Sequence, residues 1–600
     1  AVSMAAANQV TDSPSNDAES VGNYCTLNPL EADSAGTFAD GNLKCTFANL
    51  KGERGTIGLA SGKWYWETTQ NANGGEVGWY SATASLATSA GGQSNGVGSW
   101  ALNFNGRSLD NPVGGSLTTS SDYTQWAFSS GDVVGCAVDI DAGKIWFHID
   151  GTYLQSGSGT SGNVGNPATG ANAFLTGLSG TVFPFVGDGT GTAANSQTVN
   201  FGQSSFAHSA PSGFKAINTA NLSSPTVTDP SAYYQTATWT GDGTAIGSGG
   251  KTITFGGNSN LVPDLVWVKR RNEARSHQLY NSVIGWAKAN YSDLTDAVGN
   301  IPEGVSSVTT DGFVVGNNGG VNESSDTYVA WCPKAGGAPT ADNSGSASPT
   351  NNSIMIDGSA DTSTLTTSDI YPKRASGSNT SKFGIIRYTG NGSSSTQTLA
   401  NPFNWAPDVI FCKNMEATDD WEIFHSSLGS SGDSRMYLNK SDAASGASRI
   451  NAVSTTQITF VASTSGCNPS SQDVIMYAWA KTSGAIAAGK YTGNGSADGP
   501  VVVVDDGGSG FKPAFVLIKA ADRSNNWHIF DSARSPYNQI TNDALFPDLD
   551  AVEGGTNAVD FLSNGFKLRT SEVWLNASSS NNYIYLAFAE TPFALNNRAR

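Results

Sequence analysis

Three stretches of this chain repeat the same elements in the same order. A Trp239-Thr240-Gly241-Asp242-Gly243 segment recurs as Tyr388-Thr389-Gly390-Asn391-Gly392 and Tyr491-Thr492-Gly493-Asn494-Gly495. A Pro-led strand ending in Lys follows: Pro263 to Lys269, Pro407 to Lys413 and Pro513 to Lys519. Eight residues after each Lys a second strand begins, at His277, Trp421 and Trp527. Near the end of each copy stands Asn322-x-Ser324-Ser325, Asn468-x-Ser470-Ser471 or Asn576-x-Ser578-Ser579, followed by a closing strand. Fixed Pro-to-Lys and Lys-to-strand spacing in all three makes the stretches copies of one unit. At roughly 100 residues each copy is large enough for a small β-sandwich.

In the first copy, alternation places Leu265, Trp267 and Lys269 on one face of the strand and Val266 and Val268 on the other. Both faces are apolar, as for a central strand. The Thr-Gly-Asp/Asn-Gly element reads as a tight turn, and Asn-x-Ser-Ser as an Asx or Ser turn. The expected boundaries are 233–335 for copy one, 382–482 for copy two and 485–593 for copy three, each a separate sandwich. Residues 336–381, rich in Ser, Thr, Ala, Gly and Asn, read as a linker or extension. Residues 1–23 form an N-terminal extension, 216–232 a linker and 594–600 a C-terminal tail.

Composition agrees with an all-β chain. Of 600 residues 70 are Gly, 14% are charged and 10% aromatic, too few charges for helical solvent faces and too many aromatics for disorder. A net charge of −18 repels phosphate, so nucleic acid is not an expected partner. The short Lys269-Arg270-Arg271 run reads as a solvated strand end. No apolar run is long enough for a membrane helix, and the N-terminal residues do not read as a signal peptide.

Residues 24–215 show short strands with turn punctuation, suggesting a sandwich. The clearest is a hairpin, Asp132 to Ile140 and Ile145 to Gly151, turning at Asp141 to Lys144. Together, Gly62-Lys63-Trp64-Tyr65-Trp66-Glu67, Glu76-Val77-Gly78-Trp79-Tyr80, this hairpin and Val182-Phe183-Pro184-Phe185-Val186 resemble the SPRY domain family. The resemblance implies a concanavalin-type antiparallel sandwich (a jelly roll of two sheets) that binds partners through loops at one edge. Two Gly-rich stretches, 87–98 and 157–170, read as insertions, either recognition loops or spacers.

The three-copy region also resembles a repeat domain of tailed-phage structural proteins, notably of marine phages. The resemblance rests on Lys269 to His277, on Asp311-Gly312-Phe313 and Asn564-Gly565-Phe566, and on Tyr583 to Ala589. It implies a virion protein of tail-fibre type and carries no chemistry.

Motifs of catalysis are sparse. Gly92-Gln93-Ser94-Asn95-Gly96 matches a nucleophile elbow but lies in a Gly/Ser loop, without the strand and helix an elbow needs. Gly157 to Gly162 matches a dinucleotide fingerprint with no βαβ unit around it. His277, His425 and His528 fall at different positions of the repeat and are not one ligand set; His148 and His208 complete the five. The Cys residues lie far apart: Cys136, Cys332 and Cys412 read as buried thiols, and Cys25 with Cys45 as a possible pair, with no zinc spacing. Asp139-x-Asp141-x-Gly143, Gly187-Asp188-Gly189 and Asp505-Asp506-Gly507-Gly508 read as solvated turns, with Ca²⁺ as the alternative.

The expectation is therefore an all-β chain of tandem antiparallel sandwiches with no catalytic, cofactor or metal residues assigned. It is read as a non-enzymatic structural protein at the surface of a virion: a phage tail fibre or appendage, homotrimeric, touching other virion proteins and a host-surface glycan or protein. A capsid-decorating head fibre and a glycan depolymerase are the alternatives.

Overall fold

The computed structural model describes residues 22–29, 36–47, 51–70, 75–81, 88–89, 93–94, 98–103, 107–111, 118–120, 129–155, 163–188, 195–429, 434–461, 466–497, 499–535, 542–556, 558–578 and 582–595. These form antiparallel sheets almost throughout, with one short α-helix, Val573–Asn576, among the described residues. The chain divides into two compact units: residues 1–224 with 500–503 and 593–600, and residues 225–499 with 504–592.

The first unit is a two-sheet sandwich. In one sheet the Lys63–Gln70 strand lies between Val133–Asp139 and Ser196–Asn200. In the other, Gly75–Ser81 lies between Ser99–Asn103 and Val182–Asp188. The anticipated hairpin pairs Val134 with Ile149 through Asp139 with Lys144. Between the sheets Trp66 and Trp79 meet edge to face, their rings 6.4 Å apart, with Trp100, Cys136, Phe147 and Phe201 around them. Cys25 and Cys45 are buried thiols, not a disulfide; burial, followed by the Glu53 charge, pushes Cys45 up to about 12.

In the second unit all three copies share one strand order. The Pro-to-Lys strand pairs on one side with the closing strand and on the other with the strand after it. Trp267 pairs with Trp331, Phe411 with Tyr477 and Leu517 with Leu586, so the three Pro residues occupy equivalent positions. The second strands pair in the same register: Trp267 with Leu279, Phe411 with Ile423, Leu517 with Ile529.

The two apolar faces of these strands serve different cores. Val266 and Val268 fill the sandwich of copy one with Tyr280, Phe313 and Tyr328; Ile410 and Cys412 do the same in copy two. The opposite faces, Leu265 and Trp267, Val409 and Phe411, Phe515 and Leu517, enter one cluster common to all three copies. The expected separate sandwiches are thus corrected to three sandwiches arranged as a ring about a shared core. An apolar face on a free-standing sandwich would be left in water, and burying it stabilises the ring by about 25 cal/mol per Å². Where the three copies meet, Trp267, Trp331, Phe411, Trp479, Phe515 and Phe588 leave a void of only about 10 Å³ with no polar lining, so the axis is filled and dry.

Residues 336–381 are built into copy two. Ile354–Ile356 runs parallel to Arg374–Gly377, which in turn pairs with Phe383–Asn391, so the sheet of copy two widens. Ile354 and Ile370, rare large apolar residues in a polar segment, enter its core together with Ala375.

Candidate binding site

The repeated motifs prove to be structural devices. In copy one the Asn322 side chain accepts from Asp242 N–H at 2.9 Å and donates to Asp242 Oδ1 at 3.1 Å. Asn468 with Asn391 and Asn576 with Asn494 make the same reciprocal pair. The Asn-x-Ser-Ser element is therefore a clamp on the first turn, more than the local turn expected. It also explains both glycines: a Cβ on Gly241 would sit 2.0 Å from the Glu323 carbonyl, and Gly243 has φ +71°.

The three Lys residues lie in the seams of the ring. Lys413 of copy two donates to Thr295 O of copy one at 3.0 Å, Lys519 of copy three to Ser441 O of copy two at 3.3 Å, and Lys269 of copy one to Asp550 O of copy three at 3.3 Å. Six residues after each Lys a backbone N–H donates to the same carbonyl: Asp419 to Thr295, Asn525 to Ser441, Arg275 to Asp550. Return bonds run from Val298 to Met415 O, Ala444 to Ala521 O and Glu553 to Arg271 O. Trp421 Nε1 reaches Tyr291 O at 2.8 Å, and Trp527 Nε1 reaches Tyr437 O at 2.9 Å. At the equivalent place His277 feels the Phe546 carbonyl. The contacts pass cyclically from copy one to two, two to three and three back to one. Burial pushes all three lysines down to about 8, with nearby carboxylates opposing it.

The seam between copies three and one alone, among the described residues, carries a buried ion network. Arg534 bonds Asp531 at 2.6 Å and Glu553 at 2.7 Å, and Arg271 bonds Glu553 at 2.7 Å. Trp331 Nε1 donates to Asp531 Oδ2 at 3.0 Å.

The remaining chemistry-bearing residues are also occupied. His277 Nδ1 accepts from Trp267 Nε1 at 3.0 Å; His425 Nε2 lies 3.1 Å from Tyr585 O; His528 stacks on Trp574 at 4.6 Å. In the first unit Tyr65 donates to Glu67 Oε1 at 2.8 Å and lies 2.6 Å from His148 Nε2. Gly151 N–H donates to His148 Nδ1, so Nε2 carries the proton and donates to the Tyr65 oxygen. Burial, with His208 close by, lowers His148 to about 4 and keeps it neutral. Glu67 in turn accepts from Ala207 and His208 N–H, tying that segment across the sheet.

Of the acidic turns, Asp139 pairs with Lys63 at 3.1 Å and accepts from Ala142, and Asp141 accepts from Gly62. Asp506 accepts from the N–H groups of Gly484, Gly508 and Gly510. Asp188 is fully buried and accepts from Asn195. No group of three His, Cys, Asp or Glu suited to a metal occurs among the described residues. Gly92 to Gly96 and Gly157 to Gly162 lie outside them, save the backbone strand of Gln93 and Ser94, as do Gly189 and parts of both Gly-rich stretches; residues 163–170 of the second are described. No described helix is long and apolar enough to cross a membrane.

A roomy cleft of about 450 Å³ lies where the added segment meets copy two. Asn343, Ser344, Asp369, Tyr371, Lys373 and Thr389 line it, together with Asn391 of the clamped turn. Lys373 lies 3.3 Å from Asp473 and 4.0 Å from Asp342. This cleft is not legible in the sequence, since most of its lining comes from a segment read as a linker or extension.

The fold and these surfaces define an all-β protein built of a SPRY-type sandwich and a three-copy ring. A family model for the SPRY domain matches residues 63–204. A second, described as a domain of unknown function (DUF7483), matches residues 229–358 and 357–592, well over half of the chain, and the chain belongs to that family. The second of its matches spans copies two and three together. Among solved structures, the SPRY domain of human HERC1 is 14% identical, covering 29% of this chain and 96% of that one, with a TM-score of 0.21. The TRIM65 PSpry domain is 13% identical, covering 30% and 92%, also at 0.21. No curated protein matches.

Proposed function

We propose that this chain is a non-enzymatic structural and binding protein of a tailed-phage virion, carried as a fibre or appendage at the particle surface and meeting a host-surface glycan or protein. The residue-level resemblance of the copies to tailed-phage structural proteins supplies the provenance. The observation that carries the binding role is that the repeated hydrogen-bonding residues are consumed inside the ring, the asparagines in clamping turns within each copy and the lysines and tryptophans in its seams, while the polar cleft is left open to solvent. In this reading the SPRY-type sandwich is a second binding module.

Immunogold electron microscopy of intact particles with antibody to this chain tests the reading. Label on tail appendages is the expected result. Label over the capsid moves the chain to head decoration, and particles without label remove the virion role. Release of reducing ends from host polysaccharide would replace binding with hydrolysis.

A further inference from the structure

We infer that the cleft of copy two takes a neutral saccharide, an inference that rests on the binding role proposed above and names its ligand class. Asn343 is only 5% exposed and lines the cleft. Its Nδ2 donates to two carbonyls, Ser346 O and Pro372 O, each at 3.1 Å. Two carbonyls on one side fix the orientation of the amide, so the other atom is the acceptor Oδ1. That buried Oδ1 has no hydrogen-bond partner among the described residues. Covered by the protein, the amide is a fixed, uncharged part of the cleft wall.

The charges point to a neutral ligand. The cleft and its rim carry Asp342, Asp369 and Asp473 against Lys373, Arg374 and Arg387, and these already pair with one another or with hydroxyl and backbone groups. No uncompensated charge remains for an ionic ligand. The other lining groups are the Ser344 hydroxyl, the Thr389 hydroxyl, which donates to Asp473 and keeps acceptor capacity, the Asn391 amide held in the clamp, and the half-buried ring of Tyr371. The Tyr371 hydroxyl accepts from Ser368 N–H at 3.1 Å, which holds the ring in place. A fixed aromatic ring beside alternating amides and hydroxyls suits a sugar, whose C–H face stacks while its hydroxyls both donate and accept. The volume lies within the usual range for a small-ligand site.

The test applies the full chain to an array of neutral hexose and N-acetylhexosamine oligosaccharides, with uronic-acid oligosaccharides as the acidic comparison. Ser344 is exposed and lines the cleft, so Ser344→Trp fills it without entering a core; Tyr371→Ala removes the ring. Binding to neutral members is expected, lost by about tenfold or more in each variant at unchanged melting temperature. No binding to neutral members, binding only to the acidic ones, or full binding by both variants overturns the inference. The last result would leave a surface-binding role standing at another site, and the electron microscopy above judges that role independently.

Discussion

At the scale of single residues, the repeat is held by groups whose substitution costs follow from their geometry. Gly241 and Gly243 sit two apart in one turn yet for different reasons. Gly243→Ala meets only an ordinary van der Waals contact with Ser324, at 3.5 Å, but a left-handed backbone, so it is expected to cost about 1–2 kcal/mol. Gly241→Ala drives a Cβ into the Glu323 carbonyl and must move the backbone clamped by Asn322, so a larger loss is expected. Chemical denaturation of both variants checks the order; an equal or reversed order would sink the close-approach account.

The buried lysines give a pH signature. Facing Lys413 are Asp419, Asp296 and Asp420; facing Lys269 are Asp293, Asp550, Glu553 and Arg270; facing Lys519 are Asp548, Asp442 and Asp522. Their folded pKa of about 8 lies below the unfolded value near ~10.4. Between these values the unfolded chain binds more protons, so the lysines make stability rise with pH from about 8 to about 10. Lys413→Met is expected to remove about a third of that rise. Denaturation midpoints at pH 8, 9 and 10 measure it, and an unchanged slope would show that the lysine does not titrate in this window.

At the scale of elements, the seams decide whether the ring closes. Copies one and two, and two and three, are neighbours along the chain. Copy three must find copy one across the length of the repeat region, and there the structure places Arg534, fully buried between Asp531 and Glu553. Arg534→Met leaves Asp531 buried without its cation while Glu553 keeps only Arg271, for an expected loss of about 3–5 kcal/mol. The loss should appear in the transition of the ring and not in that of the first unit. A cost under about 1 kcal/mol would mean the network is dispensable.

How far these elements could be read beforehand differs by type. The strand register was legible because Pro-to-Lys and Lys-to-strand spacings are invariant. The clamp on the Thr-Gly-Asp/Asn-Gly turn was only half legible: both ends were visible as motifs, but about 80 residues separate them and nothing local pairs them. The seam loops were missed altogether. Tyr291, Tyr437 and Phe546 are equivalent, as are Asp293, Asn439 and Asp548, which accept from His277, Trp421 and Trp527 N–H. Their distances from the preceding strand drift from copy to copy, which hides an aromatic-x-Asp/Asn pattern that fixed spacing would have revealed. The doubly apolar strands were noticed, yet period-two alternation cannot say whether a second buried face meets a sheet of its own copy or of another.

At the scale of the whole molecule, a threefold arrangement appears inside a single chain. From the sequence a homotrimer is expected because side-by-side packing would hold a floppy string of sandwiches straight and cover exposed edge strands, and here the copies already pack on one another about a shared core. We therefore expect a monomer at micromolar concentration, with light scattering returning the mass of one chain; a trimer would show that further surfaces, outside the shared core, drive assembly. Copies one and two expressed without copy three should expose Leu265, Trp267, Phe411 and Trp479 and associate or precipitate. A soluble, cooperatively folded two-copy fragment would contradict a core that needs all three.

Writing three copies into one polypeptide also frees them from identity. Subunits encoded by one gene must change together, so any pocket gained by one is gained by all. Here the segment that builds the cleft was added to copy two alone, and the molecule has a front where a true trimer would have three equal sides. Valence follows from that asymmetry. Each molecule offers this cleft once, so multivalent attachment through it depends on how many molecules are displayed and how far apart they stand, not on the ring itself.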